Sequence, residues 1–290
     1  MQLCRFVVMG ETTPRLGLLT GETIQEIGGD NEVVSLDRLL GMSVARLRDV
    51  LGGVDPTRGR THRRQDCALL APLESQEVWA CGVTYERSRD ARMRESSQAS
   101  VYDLVYDADR PEVFFKATPA RVVGPGTAVV IRADSGWDVP EPELALVLNS
   151  ALEIVGYTIG NDVSSRAIEG QNPLYLPQAK TYVGCCALGP AIALAWEVPD
   201  ALALTIRLTI TRDGAVVYTD EVSTNRLHRT FADLIDYLGR DNAFPHGAIL
   251  LTGTGIIPPD DFTLHPRDTV QIAIDGLGLA PLENTVRRGA

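Results

Sequence analysis

The sequence predicts an α+β fold that is rich in strands, because short strand-like runs outnumber helical ones along the chain. Apolar and polar residues alternate within residues 202–212, and the hairpin signal Asp213-Gly214 follows directly. Residues 36–51 and 230–238 carry apolar side chains at helical spacing. Many short strands with few helices therefore indicate a β-rich globular protein.

The composition is that of an ordinary globular protein with an acidic balance. The chain has 290 residues, of which 44% are hydrophobic and 22% charged, so it can build a sizeable core. The net charge of −11 disfavours nucleic acid and anionic membranes as partners, although a small anion can bind beside a metal or a local cation. No leader and no long apolar run are recognisable, and the five cysteines lack metal-ligand spacing. We therefore expect a cytoplasmic protein with reduced thiols.

The chain is expected to form a small N-terminal α+β domain over residues 1–73 and a larger domain over residues 74–290. The first segment contains strand-like runs at 3–9 and 15–19, the helical stripe at 36–51 and a polar loop at 55–66. His62 lies in this loop, where a solvated histidine is expected rather than a metal ligand.

The larger domain opens with an apolar run at residues 78–83, which predicts a buried strand. Residues 84–100 follow and are rich in Arg and Glu, and two interpretations stay open for them: a solvated helix, or a mobile lid over a site. Residues 112–116 predict a strand that places Glu112 and Lys116 on one face. A surface ion pair is the plain alternative to a functional role for these two residues.

The rest of the larger domain predicts mostly strands. They are expected at residues 128–131, 191–195, 202–212, 215–218, 248–252 and 270–274. Residues 230–238 predict an amphipathic helix with Thr230 as its N-cap and Gly239 at its end. Thr254 stands between two glycines, so that backbone and hydroxyl can approach a ligand closely, although a tight turn explains the same pattern.

Three carboxylates are predicted to converge near the middle of the chain. Glu141 and Glu143 stand two residues apart at the start of an apolar run, which places both side chains on one face of a strand. The turn at Asn149-Ser150 and the apolar run at 152–159 predict a hairpin that returns Asp162 to them. Converging carboxylates repel each other unless a cation lies between them, and Mg²⁺ prefers such oxygen ligands. The alternative is a solvated hairpin end.

The chain also carries, in this order, five segments: PEPELALVLN, GYTIGNDVSSR, PQAKTYVGCCALGP, LLTGTGI and the closing GLGL with ENTV. Together they resemble the fumarylacetoacetate hydrolase superfamily over residues 79–286, about seven-tenths of the chain. The resemblance implies a mixed β-sandwich roll that holds Mg²⁺ or Mn²⁺ on Glu141, Glu143 and Asp162. It also implies a homodimer or homotetramer.

One departure from that superfamily bears on the reaction. Its hydrolases commonly carry His-x-x-Glu in the lid, and here Ser88 stands where that histidine would be. The four histidines, His62, His228, His246 and His265, lie elsewhere in the chain. Without an imidazole, a base that works near neutral pH must be another group, which counts against C–C bond hydrolysis.

Three other segments, EVFFKATP, SSRAIEGQNPLYLPQAK and TGTGIIPPDDFTL, resemble the 2-keto-3-deoxy-D-arabinonate or xylonate dehydratase branch. This resemblance implies a Mg²⁺-dependent hydro-lyase that converts a 2-keto-3-deoxypentonate to 2,5-dioxopentanoate in pentose catabolism. A 2-keto acid chelates Mg²⁺ through a carboxylate oxygen and the keto oxygen, and the ion stabilises the enolate formed when a C3 proton leaves.

The resemblance assigns Lys180 and Glu112 to the proton transfers, and leaves open which of them takes the C3 proton. As a base, Lys180 needs a lowered pKa, and as an acid Glu112 needs a raised one. The alternative for Lys180 is a residue that only neutralises the three carboxylates.

Substrate contacts are implied in the same way. Thr254 matches a family threonine that contacts the substrate carboxylate. Tyr85 and Lys116 are expected neighbours of the substrate, with an ordinary surface position as the alternative for both. Arg166 matches a family arginine that either holds a carboxylate or anchors its loop. Glu169 is a further candidate, for hydrogen bonds to sugar hydroxyls.

Two other functions stay open. A hydrolase or decarboxylase of a diketo or oxo acid is compatible with the carboxylate set. A binding or scaffold protein with a vestigial site is the other possibility, and it predicts that replacing Glu143 by alanine changes nothing.

Overall fold

The computed structural model describes residues 1–28, 34–54, 59–95 and 99–290. In this part of the chain the strands are β1 (Gln2–Val8), β2 (Arg15–Thr20), β3 (Thr23–Glu26), β4 (Thr61–Arg63), β5 (Cys67–Leu70), β6 (Glu77–Gly82), β7 (Glu112–Ala117), β8 (Val122–Val123), β9 (Val129–Ile131), β10 (Asp138–Val139), β11 (Pro142–Leu148), β12 (Ile154–Asp162), β13 (Ser164–Ser165), β14 (Cys186–Leu194), β15 (Thr205–Arg212), β16 (Ala215–Ser223), β17 (Ala248–Leu251), β18 (Thr269–Asp275) and β19 (Leu282–Arg288).

The α-helices of the same residues are fewer: α1 (Leu36–Leu40), α2 (Val44–Gly52), α3 (Glu86–Glu95), α4 (Ala99–Tyr106), α5 (Arg166–Gln171), α6 (Leu176–Lys180) and α7 (Phe231–Gly239). The β-rich α+β class predicted from the sequence is therefore confirmed. None of the described helices is both long and apolar enough to cross a membrane.

Two mixed sheets pack face to face around the main core. The larger sheet has the strand order β4-β3-β2-β1-β14-β12-β11-β17-β6-β7, with β5 beside β1 and β8 beside β14. The smaller sheet has the order β16-β15-β18-β19-β9. Leu146 of β11, Ile206 of β15 and Ile272 of β18 belong to one buried cluster, so the core fills the space between the sheets. The architecture is thus the mixed β-sandwich that the family resemblance implies.

Strand β11 is buried on both faces and forms the base of the site. Leu144, Leu146 and Leu148 face the core between the sheets, whereas Ala145 and Val147 belong to a second core with helices α1 and α2. Successive side chains of a strand point to opposite faces, so both cores fix the same strand. Each fully buried leucine contributes about 1.5–3 kcal/mol. The polar residues at the start of β11 therefore project from a well-anchored strand.

The N-terminal segment shares its sheet and its core with the rest of the chain. Strand β1 pairs with β14, with Leu3 opposite Ile192. Leu36 of α1 is buried in the same cluster as Ile249 of β17. The strands of the first segment extend the sheet of the second, so the sheet does not mark a boundary between them. The domain boundary at residue 73 stays a prediction.

The helical spacing predicted over residues 36–51 is found as two helices, α1 and α2, with a break at residues 41–43. Gly41 follows the last residue of α1, and Ser43 is the N-cap of α2. The Ser43 hydroxyl accepts a hydrogen bond from the Arg46 backbone N–H at 3.4 Å, which is what favours serine at a helix start. The apolar stripe continues across the break, and Leu47 is fully buried.

Other elements also differ from the sequence prediction, β4 and β19 among them. The predicted loop at residues 55–66 contains strand β4, in which His62 lies 3.1 Å from Glu26, while residues 55–58 fall outside the described part of the chain. Strand β19 was not predicted, although Leu282, Asn284 and Val286 alternate with exposed residues along it. In contrast, α7 begins as predicted, with Thr230 and Asp233 forming a capping box.

Candidate active site

The register of the β11–β12 hairpin brings three carboxylates together. Glu143 pairs with Gly160, and the Asp162 backbone N–H donates to the Glu141 carbonyl oxygen at 2.9 Å, so Asp162 lies opposite Glu141. One carboxylate oxygen from each of Glu141, Glu143 and Asp162 lies within 4.8 Å of the others. All three side chains are buried. The convergence is the one that the hairpin pattern predicts, whereas metal binding by these residues stays a prediction.

Glu141 is surrounded by cations. Its Oε1 lies 2.8 Å from Arg92 Nη2 and 3.0 Å from Arg166 Nη2, and its Oε2 lies 2.7 Å from Lys180 Nζ. Burial by itself raises the pKa of Glu141, but the charges of Lys180 and Arg92 outweigh it and lower that pKa to about 2. Glu141 is therefore a carboxylate at any physiological pH.

Glu143 is in the opposite situation. Its carboxylate accepts a hydrogen bond from the Gly253 backbone N–H. Burial, together with the charges of Asp162 and Glu141, raises the pKa of Glu143 well above its usual value. Such a carboxylate is costly to ionise unless a cation comes close to it. A hard dication that takes oxygen ligands would supply that charge, so the three carboxylates fit Mg²⁺ or Mn²⁺.

Asp162 lies between two lysines. Its Oδ1 is 2.5 Å from Lys116 Nζ, and its Oδ2 is 3.0 Å from Lys180 Nζ. Burial by itself lowers the pKa of Lys180, but the charges of Asp162 and Glu141 outweigh it and raise that pKa above the usual value. The lowered pKa predicted for Lys180 is therefore not found in this arrangement. A cation bound to Asp162 and Glu141 would offset the negative charges that raise the pKa of Lys180.

Glu112 faces the same site from strand β7. It pairs with Gly82 of β6, and a Cβ atom on Gly82 would lie only 1.9 Å from Glu112 Oε2, so the glycine makes room for the carboxylate. Burial and the charge of Glu169 raise the pKa of Glu112 to about 7, although Arg92 partly offsets them. The raised pKa predicted for Glu112 is found. A large fraction of the Glu112 side chains is therefore in the carboxylic acid form at neutral pH.

These groups line one small pocket. Its walls include Glu112, Glu141, Lys180, Thr254, Ser88 and Arg92. With Glu169 of helix α5, which also lines it, the pocket collects five of the candidate site residues of the sequence. The others come from β7, the residue before β11, helix α6 and the loop after β17, and Ser88 and Arg92 come from helix α3.

Helix α3 settles part of the question left open for residues 84–100, of which residues 96–98 lie outside the described part of the chain. Ser88, Ala91 and Arg92 are buried, so one face of the helix covers the pocket. The interpretation as a fully solvated helix is wrong. The mobility of this cover stays a prediction.

Arg92 is the residue of the site that sequence reasoning missed. Its Nη1 lies 2.9 Å from Glu169 Oε2 and its Nη2 lies 2.8 Å from Glu141 Oε1, so it joins α3 to the carboxylates. Its only signal in the sequence is its position four residues after Ser88, which places both on one helix face. In an arginine-rich stretch with no apolar stripe, that signal does not stand out.

Two of the predicted substrate contacts are buried beside the site. Thr254 lines the pocket, and its hydroxyl accepts a hydrogen bond from the Ile256 backbone N–H at 3.2 Å. Tyr85 is not the surface residue that its position suggests, because it is only 2% exposed. Among the described residues, its hydroxyl has no hydrogen-bond partner. Contact of either residue with a substrate stays a prediction.

The other two residues predicted to contact the substrate, Arg166 and Lys116, form ion pairs with carboxylates of the protein. Arg166 is 2% exposed and pairs with Glu141 and, at 3.5 Å, with Glu169, which suits the anchoring role. Lys116 is fully buried behind Asp162, so it is not part of a surface ion pair with Glu112. Glu169 is itself buried on α5 between two arginines.

Known proteins resemble this chain over most of its length. The sequence model of the fumarylacetoacetate hydrolase C-terminal family matches residues 78–287. The probable 2-keto-3-deoxyxylonate dehydratase of Haloferax volcanii is 53% identical over 221 residues, which cover 76% of this chain and 75% of that protein. The 2-dehydro-3-deoxy-D-arabinonate dehydratase of Saccharolobus solfataricus is 44% identical over 246 residues, 82% of this chain and 83% of that protein.

A solved structure agrees with these relatives. It is that of a 2-keto-3-deoxy-D-arabinonate dehydratase complexed with magnesium and 2,5-dioxopentanoate. It superposes with a TM-score of 0.83 at 37% sequence identity, and covers 100% of this chain and 99% of its own.

Proposed function

The chain belongs to the fumarylacetoacetate hydrolase family, and from this premise we propose that it is a Mg²⁺-dependent hydro-lyase acting on a 2-keto-3-deoxy sugar acid. The reaction is the conversion of 2-keto-3-deoxy-D-pentonate to 2,5-dioxopentanoate in pentose catabolism. One observation carries the proposal: an acid with a pKa of about 7, Glu112, and the ammonium of Lys180 line one pocket beside a carboxylate cluster.

Glu141, Glu143 and Asp162 would hold the Mg²⁺. When bound, the ion acts as a Lewis acid that draws electrons from the C2 carbonyl of the substrate. The charges of the site support a dication with a monoanionic ligand. In the state that the reaction needs, with Glu112 protonated and the Lys180 amine neutral, four buried carboxylates, Glu141, Glu143, Asp162 and Glu169, face three cations, Arg92, Lys116 and Arg166. A dication together with one 2-keto acid carboxylate brings that balance to neutrality.

Lys180 and Glu112 are the groups placed for the two proton transfers. We assign removal of the C3 proton to the Lys180 amine, because its two partners, Glu141 and Asp162, are the carboxylates that would bind the ion instead. We assign protonation of the departing C4 hydroxyl to Glu112, whose raised pKa keeps a proton available. Water then leaves, and a further proton shift gives the aldehyde.

The lid position favours dehydration over C–C hydrolysis. Ser88 lines the pocket from α3, where a hydrolase of the family would place its histidine. Among the described residues that line the pocket there is no histidine. An imidazole that could activate water is therefore missing, whereas dehydration needs only Lys180 and Glu112.

The proposal includes the setting of the enzyme. We expect a cytoplasmic location, which is supported by five cysteines that are all free and buried. We also expect a homodimer or homotetramer, by analogy with the family.

The experiment that tests the function is an assay of 2-keto-3-deoxy-D-pentonate with MgCl₂, with and without EDTA, that follows the aldehyde product. We expect aldehyde only when the metal is present. No turnover by protein that binds Mg²⁺ would reject this substrate, and acylpyruvates and oxaloacetate would then be assayed. No turnover without any Mg²⁺ binding would indicate a vestigial site.

The role of Glu112 predicts a pH dependence. Because only its protonated form donates to the leaving hydroxyl, kcat should fall as the pH rises through the pKa of about 7. In Glu112→Gln, which cannot donate an acidic proton, kcat should fall about 10²–10⁴-fold and this alkaline limb should disappear. A pH–rate series for both proteins measures this. An unchanged alkaline limb in Glu112→Gln would show that another group titrates.

A further inference from the structure

The two lysines of the chain lie on the same carboxylate. Of its 27 basic side chains only Lys116 and Lys180 are lysines, and the others are arginines. Each contacts one oxygen of Asp162, and neither is more than 2% exposed. An ammonium is a compact charge with three donors, whereas a guanidinium is a flat fork. The site therefore uses lysine where the rest of the chain uses arginine.

The Lys116 ammonium is enclosed by protein oxygens. Nζ forms an ion pair with Asp162 Oδ1 at 2.5 Å, and donates hydrogen bonds to the Val163 carbonyl oxygen at 3.0 Å and to the Lys180 carbonyl oxygen at 2.5 Å. Lys116 is fully buried, and it is not among the described residues that line the pocket, so its ammonium serves protein oxygens rather than a substrate oxygen.

We propose that Lys116 is a positioning residue: it orients Asp162 for the metal and holds the backbone of Lys180, and it does not contact the substrate. This replaces the substrate contact expected from the sequence. The inference rests on the proposed metal site and on the proposed use of Lys180.

The first part of this role concerns the metal. Lys116 occupies Oδ1 of Asp162, so Oδ2 is the oxygen that can exchange its Lys180 partner for the ion. Mg²⁺ requires near-ideal octahedral geometry, which favours one oriented oxygen from each carboxylate. Groups that hydrogen-bond to ligating carboxylates fix their orientation in this way, and their loss typically costs about 10–100-fold in affinity or activity.

The second part concerns Lys180. Its carbonyl lies at the C-terminal end of α6, where helix carbonyls have no partner within the helix. The bond from Lys116 ties this residue to β7, the strand that also carries Glu112. Strand β7 therefore positions both the backbone of Lys180, the proposed base, and the side chain of Glu112, the proposed acid.

Nuclear magnetic resonance can test this without turnover, because protein labelled with [¹⁵N]lysine has only two Nζ signals. We expect a slowly exchanging Lys116 signal, assigned by its loss in Lys116→Met. Pyruvate, added to Mg²⁺-saturated protein as an inert 2-keto acid, should shift the Lys180 signal and leave the Lys116 signal in place. A Lys116 signal that exchanges rapidly, or that shifts more than the Lys180 signal, would overturn the inference.

Measurements of Mg²⁺ affinity and of kinetics distinguish a positioning role of Lys116 from a direct contact between Lys116 and the substrate. In Lys116→Met, the Kd for Mg²⁺ measured by calorimetry should rise about 10–100-fold. The kcat should fall by a similar factor while KM changes less than about threefold, since a substrate contact would mainly raise KM. The control is Thr158→Val, which removes a buried hydroxyl from the same strand as Asp162, one that donates to the Gly189 and Ala191 carbonyl oxygens. It should keep wild-type affinity and KM.

Failure of the proposed role of Lys116 can be distinguished from failure of the proposed function. Wild-type protein that binds Mg²⁺ without turning over the sugar acid rejects that substrate, while the Lys116 signal and the Mg²⁺ affinity still decide the role of Lys116. Unchanged Mg²⁺ affinity with a KM raised about tenfold or more in Lys116→Met would restore the substrate contact. Should that variant fail to fold, the loss of the other signal in Lys180→Ala assigns the two lysines, and the wild-type spectrum then decides.

Discussion

Lys180→Ala is expected to lower kcat about 10³-fold, because general acid–base groups typically contribute 10²–10⁴-fold. The change removes the amine that would take the C3 proton, and leaves a small cavity in its place. The fold should survive, since Asp162 keeps Lys116 and Glu141 keeps Arg92 and Arg166 as ion-pair partners. Aldehyde formation measures the loss, and circular dichroism checks the fold.

Lys180→Arg is the matched control for this prediction. It keeps a positive charge beside Glu141 and Asp162 but cannot lose a proton near neutral pH. If Lys180 is the base, both variants are inactive. If Lys180 only neutralises the carboxylates, the arginine variant should retain most of the activity, and that result would contradict the proposed role.

Glu143→Gln is expected to abolish Mg²⁺ binding and turnover, and yet not to destabilise the metal-free protein. The pKa of Glu143 is raised by burial and by the charges of Asp162 and Glu141, so its ionised form opposes folding wherever an unfolded glutamate is charged. The destabilisation of the metal-free protein by Glu143 is therefore absent at acidic pH, and it grows as the pH rises above the usual glutamate pKa of 4.5. At pH 8 the metal-free variant should melt at or above the wild-type temperature.

Thermal melting with and without Mg²⁺ measures both parts of this prediction. An ion at about 100 times its Kd stabilises the wild-type protein by about 2.7 kcal/mol, and this increment should vanish in Glu143→Gln. Glu221→Gln, in the exposed face of β16, serves as the control and should keep the full increment. An undiminished Mg²⁺ effect in Glu143→Gln would place the ion elsewhere.

The carboxylate cluster could be predicted from sequence because it depends on local geometry. A spacing of two residues on a strand sets the common face of Glu141 and Glu143, and a short hairpin sets the return of Asp162. The break between α1 and α2 was missed because the apolar stripe runs on across Gly41. Periodicity reports which face is buried, and does not report that the backbone changes direction.

The sequence by itself therefore determined the β-rich class, the hairpin and, through resemblance, the family, and it named Glu112 and Lys180 as the candidate pair for proton transfer. Only the tertiary structure decided that Arg92 reaches Glu141, that Tyr85 is buried, and that the buried Lys116 contacts Asp162 and two backbone carbonyl oxygens. These contacts join residues far apart in the chain. Whether a charged side chain serves a ligand or the protein depends on the acceptors that packing places around it, which no spacing in the sequence records.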